Sequence, residues 1–281
     1  MRLAIQHRTE YRYSHPVFLE PLTLRLRPRC DVVQTLDQYS IVVDPAPTGI
    51  SHCVDMDGNS SSTVWFNGVH EQLVITVNAT VLTHRSDPFD FLITDNAALT
   101  LPLVYEQRLL PSLAPYLQRQ QENAALAAFS RAMQTEAGGN TVRFLSLLAE
   151  HIRSAFQYLV REQGEAWTPQ TTLEKKSGAC RDFAMLYIDA CRCAGIAARF
   201  VSGYSYADAK AQHHLHAWVE VYLPGAGWRG FDPSEGLAVA DRHIVIATGR
   251  NAEDASPVFG LYRGDARLQL IASLSITQLS E

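Results

Sequence analysis

Residues 177–195 constrain the fold of this chain more than any other stretch. They read Ser-Gly-Ala-Cys-Arg-Asp-Phe-Ala-Met-Leu-Tyr-Ile-Asp-Ala-Cys-Arg-Cys-Ala-Gly. Phe183, Leu186, Tyr187, Ala190 and Cys191 recur at the three-and-four spacing of a helix with one apolar stripe. Gly178 permits a turn before that helix, and Gly195 is a natural stop after it. Strands follow at once over Arg199–Tyr206, His214–Leu223 and Trp228–Phe231, with Pro224-Gly225-Ala226-Gly227 as the hairpin turn between the last two. Ile244–Ala247 and Leu268–Ile276 read as later strands. Upstream lie the alanine-rich segment Asn123–Gln134 and a stripe of Leu145, Leu148, Ile152, Phe156 and Leu159 that Asn140 or Thr141 caps. Helices and then an antiparallel sheet make the C-terminal two-thirds α+β.

The first 85 residues read as β. Leu3, Ile5, His7, Thr9, Tyr11 and Tyr13 alternate, as do Leu22, Leu24 and Leu26, and again Leu73, Ile75, Val77, Ala79 and Val81. Turn clusters at Asp44–Pro47, Asp57–Asn59 and Phe66–Gly68 separate them, as in a small β-sandwich. Pro88, Pro102, Pro111 and Pro115 interrupt every pattern between the two parts. The expected organisation is a β-rich domain over 1–85, a proline-containing connection over 86–120 draped on the surface, and a core over 121–281.

Apolar residues make up 47% of the 281 and charged residues 19%, enough for a substantial core. A formal charge of −5 and the lack of a basic cluster argue against nucleic acid. Arg25, Arg27 and Arg29 alternate with leucines and read as the solvated face of a strand. No signal peptide and no membrane span are visible, and five cysteines without a disulfide framework fit a reducing compartment. The expectation is a cytoplasmic chain that does not engage a membrane; oligomeric state is open.

Cys180 lies in the first turn of its helix, where unpaired N–H groups and the helix dipole favour an anion. The thiolate is the nucleophilic form of cysteine, and at an ordinary pKa of about 8.5 it needs help to form. His216 projects from the strand His214–Leu223 on the face opposite Ala217, Val219 and Val221. Asp232 emerges at the end of the neighbouring strand. Together they supply a nucleophile, a base and a residue that orients the base.

Gly-Ala-Cys-Arg-Asp-Phe-Ala, with Ala-Gly-Ile-Ala-Ala-Arg-Phe-Val-Ser-Gly-Tyr at 194–204, resembles the catalytic core of the transglutaminase-like superfamily. So do His-Ala-Trp-Val-Glu-Val-Tyr-Leu-Pro-Gly at 216–225 and Gly-Trp-Arg-Gly-Phe-Asp-Pro at 227–233. His-Arg-Thr-Glu-Tyr-Arg-Tyr-Ser at 7–14, Leu-Arg-Leu-Arg-Pro at 24–28 and Asp-Met-Asp-Gly-Asn at 55–59 resemble the β-rich domain that precedes this core in bacterial members. The resemblance implies a papain-like arrangement of helix against antiparallel sheet, with Cys180 as nucleophile, His216 as base and acid, and Asp232 orienting it. It also implies a peptide or protein amide substrate and a setting shared with ATP-grasp ligase-like proteins. A cysteine peptidase or amidase is expected ahead of an amine-accepting transglutaminase, a thioester-dependent acyltransferase or a scaffold that has lost catalysis.

Trp218, Trp167, Asp182 and His214 are candidates for substrate contact, and Asp182 also for stabilising the helix start. No cofactor and no metal are expected. Residues 55–66 mimic a calcium loop but place Ser60 and Phe66 where glycine and glutamate are needed, so a hairpin turn is expected. His213, His214 and His216 lack a carboxylate or thiol at ligand spacing. Cys191 and Cys193 point about 200° apart on a helix and make no zinc pair. Asn251 stands where the resemblance leads one to expect Asp, and no role is assigned to it.

Overall fold

The structure, a computed structural model, describes residues 1–120, 122–161, 164–206 and 214–279. The alternating N-terminal segments form two antiparallel sheets. In the first, Gln34–Asp44, His70–Thr83, Arg2–Leu19 and Leu268–Gln278 lie side by side. In the second the order is Val258–Phe259, Leu22–Leu24, Ser60–Trp65, Gly49–Val54. Between them lie Leu3, Ile5, Leu22, Leu24, Val64, Leu73, Ile75 and Val77, the inward members of each alternation.

Two expectations about organisation are amended here. Leu268–Gln278 belongs to the N-terminal sheet, paired antiparallel with the first strand from Leu3↔Gln278 to Tyr13↔Leu268. Alternation names the buried face of a strand but not its neighbour, and the first strand has a long edge of backbone groups that needs a partner. The proline-containing connection, in turn, is partly core. Leu103, Tyr105 and Leu113 are buried among the helices, and residues 110–117 form helix α1 (Leu110–Leu117), which accepts Pro111 in its first turn.

Four helices follow: α2 (Ala124–Glu136), α3 (Thr141–Ala155), α4 (Pro169–Lys175) and α5 (Cys180–Cys193). Asn123, Asn140 and Thr168 cap the first three through their side-chain oxygens. Helix α5 is buried on nearly every face rather than along one stripe, because α2, α3 and α4 pack on one side and the second domain's sheet on the other. Its polar residues are satisfied inside. Arg192 donates to the carbonyls of Tyr116, Gln118, Ala198 and Arg250, and Asp189 accepts twice from Arg119.

That sheet runs Leu237–Ala238, Gly227–Asp232, Leu215–Leu223, Ala198–Ser205, His243–Gly249, all antiparallel. The hairpin at 224–227 turns on Gly225, whose φ of 85° suits glycine. Ala217, Val219 and Val221 face the helices, and Tyr204, Ile244 and Ile246 join the N-terminal core on the other side.

The junction between the two halves is polar as well as apolar. Asn59 donates to the Thr248 carbonyl (2.7 Å) and accepts from the Thr248 N–H (2.8 Å), and Gln34 does the same at Val245 (3.0 and 2.8 Å). These carboxamides pair with the outer edge of His243–Gly249 as a neighbouring strand would. The expected solvated arginine face holds for Arg27, which is exposed, whereas Arg25 and Arg29 are half-buried in ion pairs. Arg25 pairs with Asp55, Arg27 covers the Tyr39 ring, and Arg29 with Arg199 pairs with Glu220, whose carboxyl is held at about 2 by those charges against the opposing effect of burial. Asp55 spends its oxygens on Arg25, Asp57 N–H and Asn59, closing the hairpin turn expected there. No helix among the described residues is long and apolar enough to cross a membrane.

Asn59→Ala strips both partners from the buried Thr248 backbone and should lower stability by about 2 kcal/mol. A reduced urea midpoint at unchanged slope is expected; a midpoint equal to wild type would show that the edge does not depend on this amide.

Candidate active site

The short parallel pairing of Gln157–Tyr158 with Ser177–Gly178 delivers the chain to the start of α5. Cys180 is the first residue of that helix and is 8% exposed. Its sulfur meets the His216 ring and the Ala217 N–H. Burial disfavours the thiolate, but the His216 hydrogen bond and charge outweigh it, so the thiol titrates below its ordinary value.

His216 Nε2 donates to Asp232 Oδ2 at 2.6 Å. With Nε2 so committed, Nδ1 is the nitrogen left for the sulfur. Burial works against a charged ring here. The Asp232 charge and hydrogen bond, with the Cys180 sulfur, nonetheless raise His216 well above the usual imidazole value. Asp232 is fully buried and accepts four hydrogen bonds: Ser234 N (2.8 Å) and Glu235 N (3.2 Å) on Oδ1, His216 and His243 Nε2 (3.1 Å) on Oδ2. Burial alone would raise its carboxyl; the two imidazole rings hold it far below the carboxylate range.

The other candidates divide. Trp167 and His214 line a cleft of about 660 Å³ that has Cys180 and His216 in its wall. Trp218 and Asp182 do not reach it. Trp218 is wholly buried, stacked on His216 with centroids 6.2 Å apart, and an added Cβ on Gly203 would come within 2.4 Å of its ring. Asp182 is also wholly buried and accepts from Arg161 Nη2 on both oxygens (2.6 and 2.8 Å), Trp167 N (2.7 Å) and Ala179 N (2.8 Å). It holds the strip of cleft wall around Trp167 against the helix start, and no oxygen is left for a substrate.

Sequence reasoning missed two neighbours. Tyr158, across the short strand pair, sets its hydroxyl against the Cys180 sulfur and backbone N–H. Burial and the adjacent sulfur raise the phenol well above its ordinary value, so it keeps its proton. His243 reaches Asp232 from a strand 11 positions further along. A two-residue strand and a histidine at a strand start carry no local signal of either role. The far wall of the cleft comes from the N-terminal sheet, where the cross-strand pairs Thr9↔Ala272 and Tyr11↔Leu270 face the Cys180 side. None of residues 86–118 lines it.

His216, Asp232, Glu235 and His243 bring possible metal-ligand atoms within 4.8 Å of one another. Both imidazole Nε2 atoms here point at one carboxylate oxygen, which is a hydrogen-bonded set; a metal would have to displace the His216–Asp232 proton. Cys191 is buried and Cys193 lies against Asp189. Asn251 closes a turn by accepting from Asp254 N. His213 lies outside the described residues.

The chain matches known families and proteins along most of its length. Residues 3–82 match the bacterial transglutaminase-like N-terminal region, and residues 127–233 match the transglutaminase-like superfamily core. An uncharacterized protein of Mycobacterium tuberculosis (strain H37Rv) is 30% identical over 92% of this chain and 87% of its own length. One of Mycobacterium leprae is 25% identical over 99% of both. The crystal structure of a candidate cysteine protease from Cytophaga hutchinsonii shares the fold at a TM-score of 0.72 and 21% identity, covering 100% of this chain and 92% of that one. On these matches, in the order N-terminal region and then core, the chain belongs to the transglutaminase-like superfamily.

Proposed function

We propose that this chain is a cysteine-dependent acyl-transfer enzyme that hydrolyses a peptide or glutamine-type amide. The observation that carries the proposal is the hydrogen-bonded run from the Cys180 sulfur through His216 to Asp232, at 2.6 Å for its second link, opening on a cleft. The Cys180 thiolate attacks the amide carbonyl carbon. The oxyanion takes hydrogen bonds from the Cys180 N–H and the Tyr158 hydroxyl, which both lie beside the sulfur. His216 passes its Nδ1 proton to the nitrogen as the C–N bond breaks, and the amine departs from a thioester. Water then attacks the thioester, His216 takes up its proton, and the acid leaves as the thiolate returns. The cleft of about 660 Å³ beside Cys180 and His216 has room for water next to the thioester. Release of acid from glutamine peptides is therefore expected; incorporation of an added amine with no acid formed would replace hydrolysis by transamidation.

Iodoacetamide alkylation of Cys180 tests the pair without a known substrate. The lowered thiol and raised imidazole leave thiolate and imidazolium together between the two titrations. The rate should stay high well below pH 7 and fall only as acid protonates the sulfur. Base removes the imidazolium proton but leaves the thiolate, so turnover falls on the alkaline side while alkylation does not. His216→Ala should return alkylation to an ordinary thiol profile near 8.5. A wild-type protein already showing that profile would refute the proposal. Tyr158→Phe should slow hydrolysis of an activated ester such as p-nitrophenyl acetate by about 100-fold; an unchanged rate would remove Tyr158 from the oxyanion site.

A further inference from the structure

Resting on the acyl-transfer reading, we infer that His243 is a positioning residue that aims the Asp232 carboxylate at His216. Asp232 can only accept hydrogen bonds when ionised, so the 3.1 Å contact requires His243 to carry its proton on Nε2. Two backbone N–H groups fix Oδ1, but Oδ2, the oxygen that receives His216, has His243 as its other donor. Without that donor a fully buried carboxylate oxygen keeps one hydrogen bond, and rotation about the Cβ–Cγ bond is resisted from the Oδ1 side alone.

The surroundings hold His243 to this bond. Its side chain is 2% exposed and meets Trp218 edge-on, at 5.1 Å between centroids and 72° between planes. Trp218 in turn stacks on His216. The backbone is fixed opposite Ser205 at the start of the edge strand His243–Gly249. Nδ1 is buried with no hydrogen-bond partner among the described residues, so the one polar contact that orients the ring is the bond to Asp232. Three rings and one carboxylate therefore form a closed set, His216–Asp232–His243–Trp218, behind Cys180. Burial sets the stakes, because a misdirected carboxylate here has no water to turn to.

His243→Phe keeps a ring against Trp218 and deletes the donor; His243→Gln restores a side-chain N–H at the reach of Nε2 and deletes the ring. The pH profile of Cys180 alkylation is measured for both beside wild type. In His243→Phe the rate at pH 6 should drop at least about tenfold, the scale of one hydrogen bond to a charged group, with the acid limb moved to higher pH. His243→Gln should regain most of that loss. Equal losses in both, or a wild-type profile in His243→Phe, would overturn the inference. Should His243→Phe not fold, His243→Met against His243→Gln gives the same comparison of donor at similar length. A wild type with no thiolate below pH 7 would strike instead at the acyl-transfer reading.

Discussion

One ionised carboxylate buried at the end of the strand Gly227–Asp232 sets the terms for the catalytic half. A charge with no exposure costs several kcal/mol unless every oxygen is engaged. Asp232 meets that demand with a turn that supplies two N–H groups and two strands that each supply an imidazole. The demand is structural as much as chemical. It requires Leu215–Leu223 and His243–Gly249 to lie in one sheet with a defined register, and it requires the turn after Asp232 to double back. The proton on His216 is held in place by an arrangement that the fold must make in any case.

The second constraint lies at the other edge of the same sheet. His243–Gly249 is an outer strand, and an outer strand exposes backbone groups that invite unwanted pairing. Here two side-chain amides, Gln34 and Asn59, take the place of a neighbouring strand. With the Arg29–Glu220 ion pair and the shared core around Tyr204 and Ile246, they join the N-terminal sandwich to the sheet that carries His216 and Asp232. The cleft depends on that junction, since one wall carries Cys180 and the other is the sandwich itself.

Local features were legible in the sequence where local physics decides them. The start and stop of α5, the cap at Asn140, the hairpin at Gly225 and the alternation of His214–Leu223 follow from glycine, capping oxygens and side-chain period. The three-residue constellation of Cys180, His216 and Asp232 was legible from order and motif. What escaped was tertiary. Asp182 looked free to meet a substrate at a helix start, yet the chain folds Arg161 and Trp167 over it. Arg25 and Arg29 looked fully solvated because the carboxylates Asp55 and Glu220 that half-bury them lie 30 and 191 positions away. Tyr158 and His243 act on atoms that no spacing rule connects to them.

The strand Leu268–Gln278 ties the cleft to a pairing between the two most distant parts of the described chain. Its partner is Arg2–Leu19, so the contact that completes the first sheet also closes a very long loop of chain, at the entropic cost such a loop carries. The sheet that carries His216 and Asp232 draws its strands from residues 198–249 and shares no strand pairing with residues 268–278. The far wall of the cleft does depend on that pairing, because Leu270, Ala272 and Leu274 are part of it. Loosening this one strand pair would therefore widen the cleft while leaving Cys180, His216 and Asp232 in contact.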